Sequence, residues 1–147
     1  SGNGPMSAPT STVFSTNWTS GMNANGGTFV AYCFTDVPGY QKIGSYTGNG
    51  SADGPFVFCG FKPRWVLVKQ TSSANSWVIM DSARDAYNPE SLQLYPNLAI
   101  AEGTDLAMDF TANGFKLRIT SSNVNASGGT YIFLAIADTN GRYSNAR

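Results

Sequence analysis

Apolar residues in this chain gather in short runs or alternate with polar ones, and no long stretch repeats them at helical spacing. The strongest runs are 28–35 (TFVAYCFT), 56–61 (FVFCGF), 65–70 (WVLVKQ), 76–80 (SWVIM) and 130–137 (TYIFLAIA). They are rich in β-branched and aromatic residues and too short for ordinary helices, so each predicts a strand. Residues 41–47 (QKIGSYT) alternate Ile43, Ser45 and Thr47 against Lys42 and Tyr46, a further strand, and 13–18 reads as a short edge strand. The runs at 65–70 and 76–80 are separated by TSSAN, the spacing of a hairpin with a five-residue loop. Residues 108–110 and 115–119 flank Ala112-Asn113-Gly114, where Asn-Gly predicts a type I′ turn with two positive-φ residues.

Between these runs the chain is punctuated. Residues 39–55 are dense in Gly, Ser, Asn and Asp and read as loop, residues 22–27 as a turn, and Pro63 marks the start of a strand or a sheet edge. A helical turn is expected at 81–86 (DSARDA), capped by Asp81 and stopped by Pro89. Residues 88–96 form an extended loop, 98–102 fit either a strand or a helical turn, and 121–129 form a polar loop. About nine strands without a helical period give an all-β antiparallel β-sandwich of jelly-roll or lectin-like topology. It occupies 25–140, with 1–24 a flexible lead or anchor and 141–147 a tail. One echo runs through it: Gly26-Gly27-Thr28-Phe29-Val30 through Asp36 matches Gly128-Gly129-Thr130-Tyr131-Ile132 through Asp138 in spacing. Either any buried strand after a Gly turn looks this way, or the first copy closes a preceding unit of a tandem array. If the strand around Phe29 completes a neighbour's sandwich, removing 1–36 unfolds the domain or breaks the assembly.

Composition narrows the function. At 147 residues the chain is one domain, large enough to bury roughly 68–70% of its unfolded surface. Only 12% of residues are charged, nine basic against nine acidic. No basic stripe points to nucleic acid, and no apolar window is long enough to span a membrane. The surface owes its polarity to Ser, Thr, Asn and Gly, which suits hydroxyl-rich ligands. Histidine is absent, which excludes Ser-His-Asp and Cys-His sites and imidazole metal centres. Cys33 and Cys59 both lie in strand-like runs and read as buried reduced thiols, with a disulfide between neighbouring strands as the other reading. No cofactor or metal is called for.

Carboxylates remain: Asp53, Asp81, Asp85, Glu90, Glu102, Asp105 and Asp109 include any glycosidase acid and base. Asp81 and Asp85 flank Arg84 and read as a local ion pair holding the turn. The loop GNGSADG offers calcium only Asp53, so Asn49, Ser51 and Asp53 read as caps on the loop's own backbone or as polar groups for a sugar. Of Trp18, Trp65 and Trp77, Trp65 reads as core and Trp77 as an exposed platform. An aromatic ring beside amide, carboxylate and guanidinium groups is a common way to bind a carbohydrate. The candidate glycan cluster is therefore Trp77, Asp81, Arg84, Tyr87 and Asn88, with Tyr46 and Asn49 from the loop. Sequons at Asn17, Asn49 and Asn125 matter only in a secretory pathway.

Taken together, GSYTGNGSADGPFVFCGFKPRWVLVK, Leu94-Tyr95-Pro96-Asn97, Asn113-Gly114-Phe115-Lys116-Leu117-Arg118 and Ser127-Gly128-Gly129-Thr130-Tyr131-Ile132 resemble a domain family of bacteriophage and prophage tail-fibre-like proteins. The resemblance covers about 25–138. It implies a virion surface protein assembled in the host cytoplasm, with a tail-fibre or tailspike adhesion domain that binds a host-surface glycan without catalysis. Implied partners are that glycan, other virion proteins and sister chains in a trimer. The competing readings are a capsid-decoration or fibre-assembly module and a glycan-depolymerising enzyme.

Overall fold

Alternation of buried and outward side chains builds the strands of this computed structural model, which describes residues 8–16, 21 and 23–137. The chain divides into two units, 1–33 and 34–147. In the first, the described residues form turns, such as Gly27 N–H donating to Ala24 O at 3.0 Å, with no strand or helix. The second holds eight strands and one short helix: β1 (Gln41–Thr47), β2 (Phe56–Phe58), β3 (Pro63–Gln70), β4 (Trp77–Asp81), β5 (Gln93–Leu94), β6 (Met108–Thr111), β7 (Gly114–Leu117), α1 (Ser122–Asn125) and β8 (Thr130–Ala137).

All pairings are antiparallel, in a five-stranded sheet β1-β8-β3-β4-β5 and a three-stranded sheet β2-β7-β6. The expected all-β architecture of two antiparallel sheets is thus present. Val66, Val68, Val78, Met80, Tyr131 and Phe133 on one face of the larger sheet join Val57, Met108, Phe110, Phe115 and Leu117 of the smaller in one core. Aromatic edges lock the layers: Phe115 of the smaller sheet meets Phe133 at 5.3 Å and 81° and Tyr46 at 6.0 Å and 80°. The ladder between β3 and β8 shifts between Pro63 and Trp65, as a proline at a strand start requires.

Four expectations are corrected. Residues 28–35 form no strand, and Phe29, Val30, Tyr32 and Phe34 are exposed, Tyr32 by 82%. The local reason lies at the next turn. Antiparallel pairing reaches Val37 opposite Gln41 and stops, because the Asp36 carboxylate takes the Ile43 N–H at 2.8 Å and ion-pairs with Lys42. Cys33 is consequently exposed, whereas Cys59 is buried and its thiol is pushed up to about 12 by desolvation. Residues 13–16 form no edge strand either; Asn17 and Trp18 lie outside the described residues.

The third concerns the β6–β7 hairpin. It exists, but its two-residue loop is Ala112-Asn113, and no described non-glycine residue has positive φ, so the turn is not type I′. Gly114 is there for space: a Cβ on it would lie 2.1 Å from Val57 O of β2. The fourth is α1, inside the stretch read as polar loop. Ser121 caps it, accepting from Asn123 N–H, and Val124 drops into the core. Near 81–86, Asp81 ends β4 and caps one turn, accepting from Ala83 N and Arg84 N at 3.1 and 3.0 Å, with Asp85 N reaching Asp81 O at 3.4 Å.

Candidate functional site

The residues expected to hold a sugar are placed by different elements. Tyr46 lies on the inner face of β1, where its hydroxyl donates to Val124 O at 2.7 Å and burial pushes its phenol well above the ordinary value. It is a packing residue at the rim of the core instead of a loop ligand. Asn49 is exposed, but its amide is spent on the loop: Nδ2 donates to Asp53 O at 2.9 Å, and Oδ1 accepts from Ser51 N at 2.9 Å. Asp53 pairs with Lys116 at 2.8 Å, which lowers its pKa. The loop caps itself.

At the far end of β4, Asp81 and Arg84 are joined at 2.6 Å, and Arg84 also pairs with Glu102. Asp85 accepts from Ser91 N at 2.6 Å, which holds its pKa down. Asn88 completes the edge of β6, donating to Phe110 O and accepting from Phe110 N, both at 2.9 Å. Tyr87 between them is 85% exposed. Trp77 is 37% exposed, and its N–H on the main chain donates to Asn97 Oδ1 at 3.0 Å. Four residues of extended chain put it about 13 Å along β4 from Asp81, so the sheet separates the platform from the ion-pair cluster.

Among the described residues, Asp53, Asp81, Glu102 and Asp109 are each ion-paired. Glu90 is 2% exposed, its carboxyl raised to about 8 first by burial and then by the charges of Asp85 and Asp81. Its Oε2 and the Oε1 of fully buried Gln93 have no hydrogen-bond partner. A protonated acid is what glycoside cleavage needs, but this one is closed off from a polymer. Among the described residues no group of three His, Cys, Asp or Glu side chains has the geometry of a metal site.

A different surface stands out. The face of the larger sheet turned away from the core carries Ile43, Leu134, Leu67, Ile79 and Leu94, paired residue to residue across all five strands. One flanking row holds Ser45, Ile132, Lys69 and Trp77; the other holds Gln41, Ile136, Trp65 and Asp81. Exposure varies across this face, from Ile132 at 42% to Leu134 at 9%, and no residue of the three rows belongs to the core cluster. An antiparallel sheet with a solvated face alternates apolar and polar; this one is apolar on both faces.

The model of a domain of unknown function, DUF7483, matches residues 3–140. The chain belongs to that family. The match takes in residues 3–24 as well as the sandwich. No curated protein and no solved structure shows significant similarity to this DUF7483 chain.

Sequence reasoning missed one organising residue of the DUF7483 sandwich, Asn125. It is fully buried, donates to Ser51 O and Ile119 O at 2.8 Å, and accepts from Asn49 N at 2.9 Å, fixing the Gly-rich loop to α1. Burial also removes it as a glycosylation acceptor. Only its place in a capped turn after Ser121 signalled it. The apolar outer rows were visible as unbroken runs, in 130–137 above all, which is how strands covered on both faces read.

Proposed function

We propose that this DUF7483 domain is a non-enzymatic surface module of a phage virion, of tail-fibre or tailspike type, that works by contact. The motif resemblance supplies the virion setting. The apolar outer face of the five-stranded sheet carries the mode of action: a face of this kind is stable only when something covers it, so it serves contact with other virion proteins, sister chains included. The loop around Tyr87 is left to face the host, where an exposed aromatic ring suits the C–H face of a surface glycan. Low, balanced charge favours such hydroxyl-rich ligands over phosphates.

The test is retention of the full chain on host cells and on an array of bacterial surface glycans. Retention that Tyr87→Ala reduces at least tenfold, with an unchanged melting temperature, is expected. A folded chain with no retention removes the adhesive role and leaves an assembly module. Polysaccharide shortened on incubation would contradict the non-enzymatic reading, and loss of that activity in Asp81→Asn or Asp53→Asn would place the chemistry.

A further inference from the structure

We infer that the outer face of the five-stranded sheet is covered by the same face of a second copy, related by a two-fold axis running across the strands along the row Ile43–Leu134–Leu67–Ile79–Leu94. This rests on the reading of that face as a contact surface and adds the partner and its orientation. The smaller sheet and α1 pack on the opposite face, through Phe115 and Val124 among others, so this one is not part of the domain's own core.

Size comes first. Thirteen outward positions, five on the axis and four in each flanking row, spaced about 4.8 Å between strands and about 6.8 Å along them, give a footprint of roughly 420 Å² per copy. Two copies remove about 850 Å², the size of a weak, concentration-dependent interface. Sheets packed face to face at about 10 Å interdigitate branched aliphatic rows of this kind.

The flanking rows choose the orientation. One carries Lys69 and Trp77, the other Trp65 and Asp81. The Lys69 ammonium is held by Gln70 O and Asn75 O, each at 2.7 Å, and has no carboxylate partner among the described residues. Turning the second copy about an axis along the strands would stack Lys69 on Lys69. An axis across them sets each Lys69 over Trp65 of the second copy, a cation over an aromatic face, and each Trp77 over the Asp81–Arg84 pair. The five residues on the axis then meet their own counterparts.

Sedimentation equilibrium of the full chain tests this, with Lys69→Gln and Leu67→Glu as variants and thermal melting as the control on folding. A dimer that Lys69→Gln weakens about three- to tenfold and Leu67→Glu abolishes is expected. A dimer that Lys69→Gln leaves unchanged or tightens overturns the orientation, since relieving stacked ammonium groups would do that. A wild-type monomer, a trimer, or a dimer indifferent to Leu67→Glu overturns the interface itself. If Leu67→Glu fails to fold, Ile132→Lys at the more exposed flanking position replaces it, with the same two readings. Host-cell retention is scored alongside: a wild-type chain that is retained but monomeric sinks this inference alone, and a dimer that is not retained sinks the adhesive reading alone.

Discussion

Glu90 carries a pH dependence of its own. Unfolded, its carboxyl titrates near 4.5; folded, near 8, because desolvation and the neighbouring Asp85 and Asp81 disfavour the anion. The folded state therefore holds the proton more tightly, and the stability this gives is complete below pH 4.5 and lost as pH rises towards 8. Asp36, Asp53 and Asp85 have lowered values and act in the opposite sense at more acidic pH, so the interval from 5 to 8 belongs to Glu90. Urea denaturation across that interval should show stability falling by up to about 1.4 kcal/mol per pH unit. Glu90→Gln, which keeps the neutral shape, should flatten the curve; a slope unchanged in that variant would show that Glu90 is ionised when folded. None of this was legible in the sequence, where Glu90 was one of nine acidic side chains. Burial is a property of the assembled fold. The two cysteines teach the same point: both lie in apolar, strand-like runs, yet Cys59 is buried and Cys33 exposed.

Strands and hairpins were legible where the run and its ladder partner were both local. The β3–β4 and β6–β7 hairpins lie where the apolar alternation and the turn residues put them. What failed was the type of turn. Asn113-Gly114 looked like a pair chosen for positive φ, yet the loop is Ala112-Asn113, and the glycine answers to the backbone of β2 instead. That difference is measurable. Gly114→Ala forces a Cβ against Val57 O and should cost about 2 kcal/mol or more in chemical denaturation, while Asn113→Ala should stay within about 0.5 kcal/mol. A type I′ turn would predict a substantial loss from Asn113→Ala as well. The other failure, 28–35, had every intrinsic feature of a strand and a spacing shared with β8. Propensity describes what fits a ladder, and Asp36 occupying the Ile43 N–H ends the ladder before this segment could join it.

Across the whole molecule, two sheets were expected and two are found, and the core could be read from the sequence because aromatic and β-branched runs have few other uses. The candidate glycan cluster fared differently. Its polar members satisfy one another or the backbone, and Tyr46 belongs to the packing, which leaves Tyr87 and Trp77 as exposed rings separated by the length of β4. The larger message of the unbroken runs was a second apolar face on the larger sheet, and the proposed contact role rests on it. The most direct measurement is oxidative footprinting of the tryptophans and tyrosines in the wild-type chain at low and high concentration. Protection of Trp65 and Trp77 on concentrating, with Tyr87 labelled equally at both, is the predicted result; Trp65 and Trp77 labelled alike at every concentration would contradict the account.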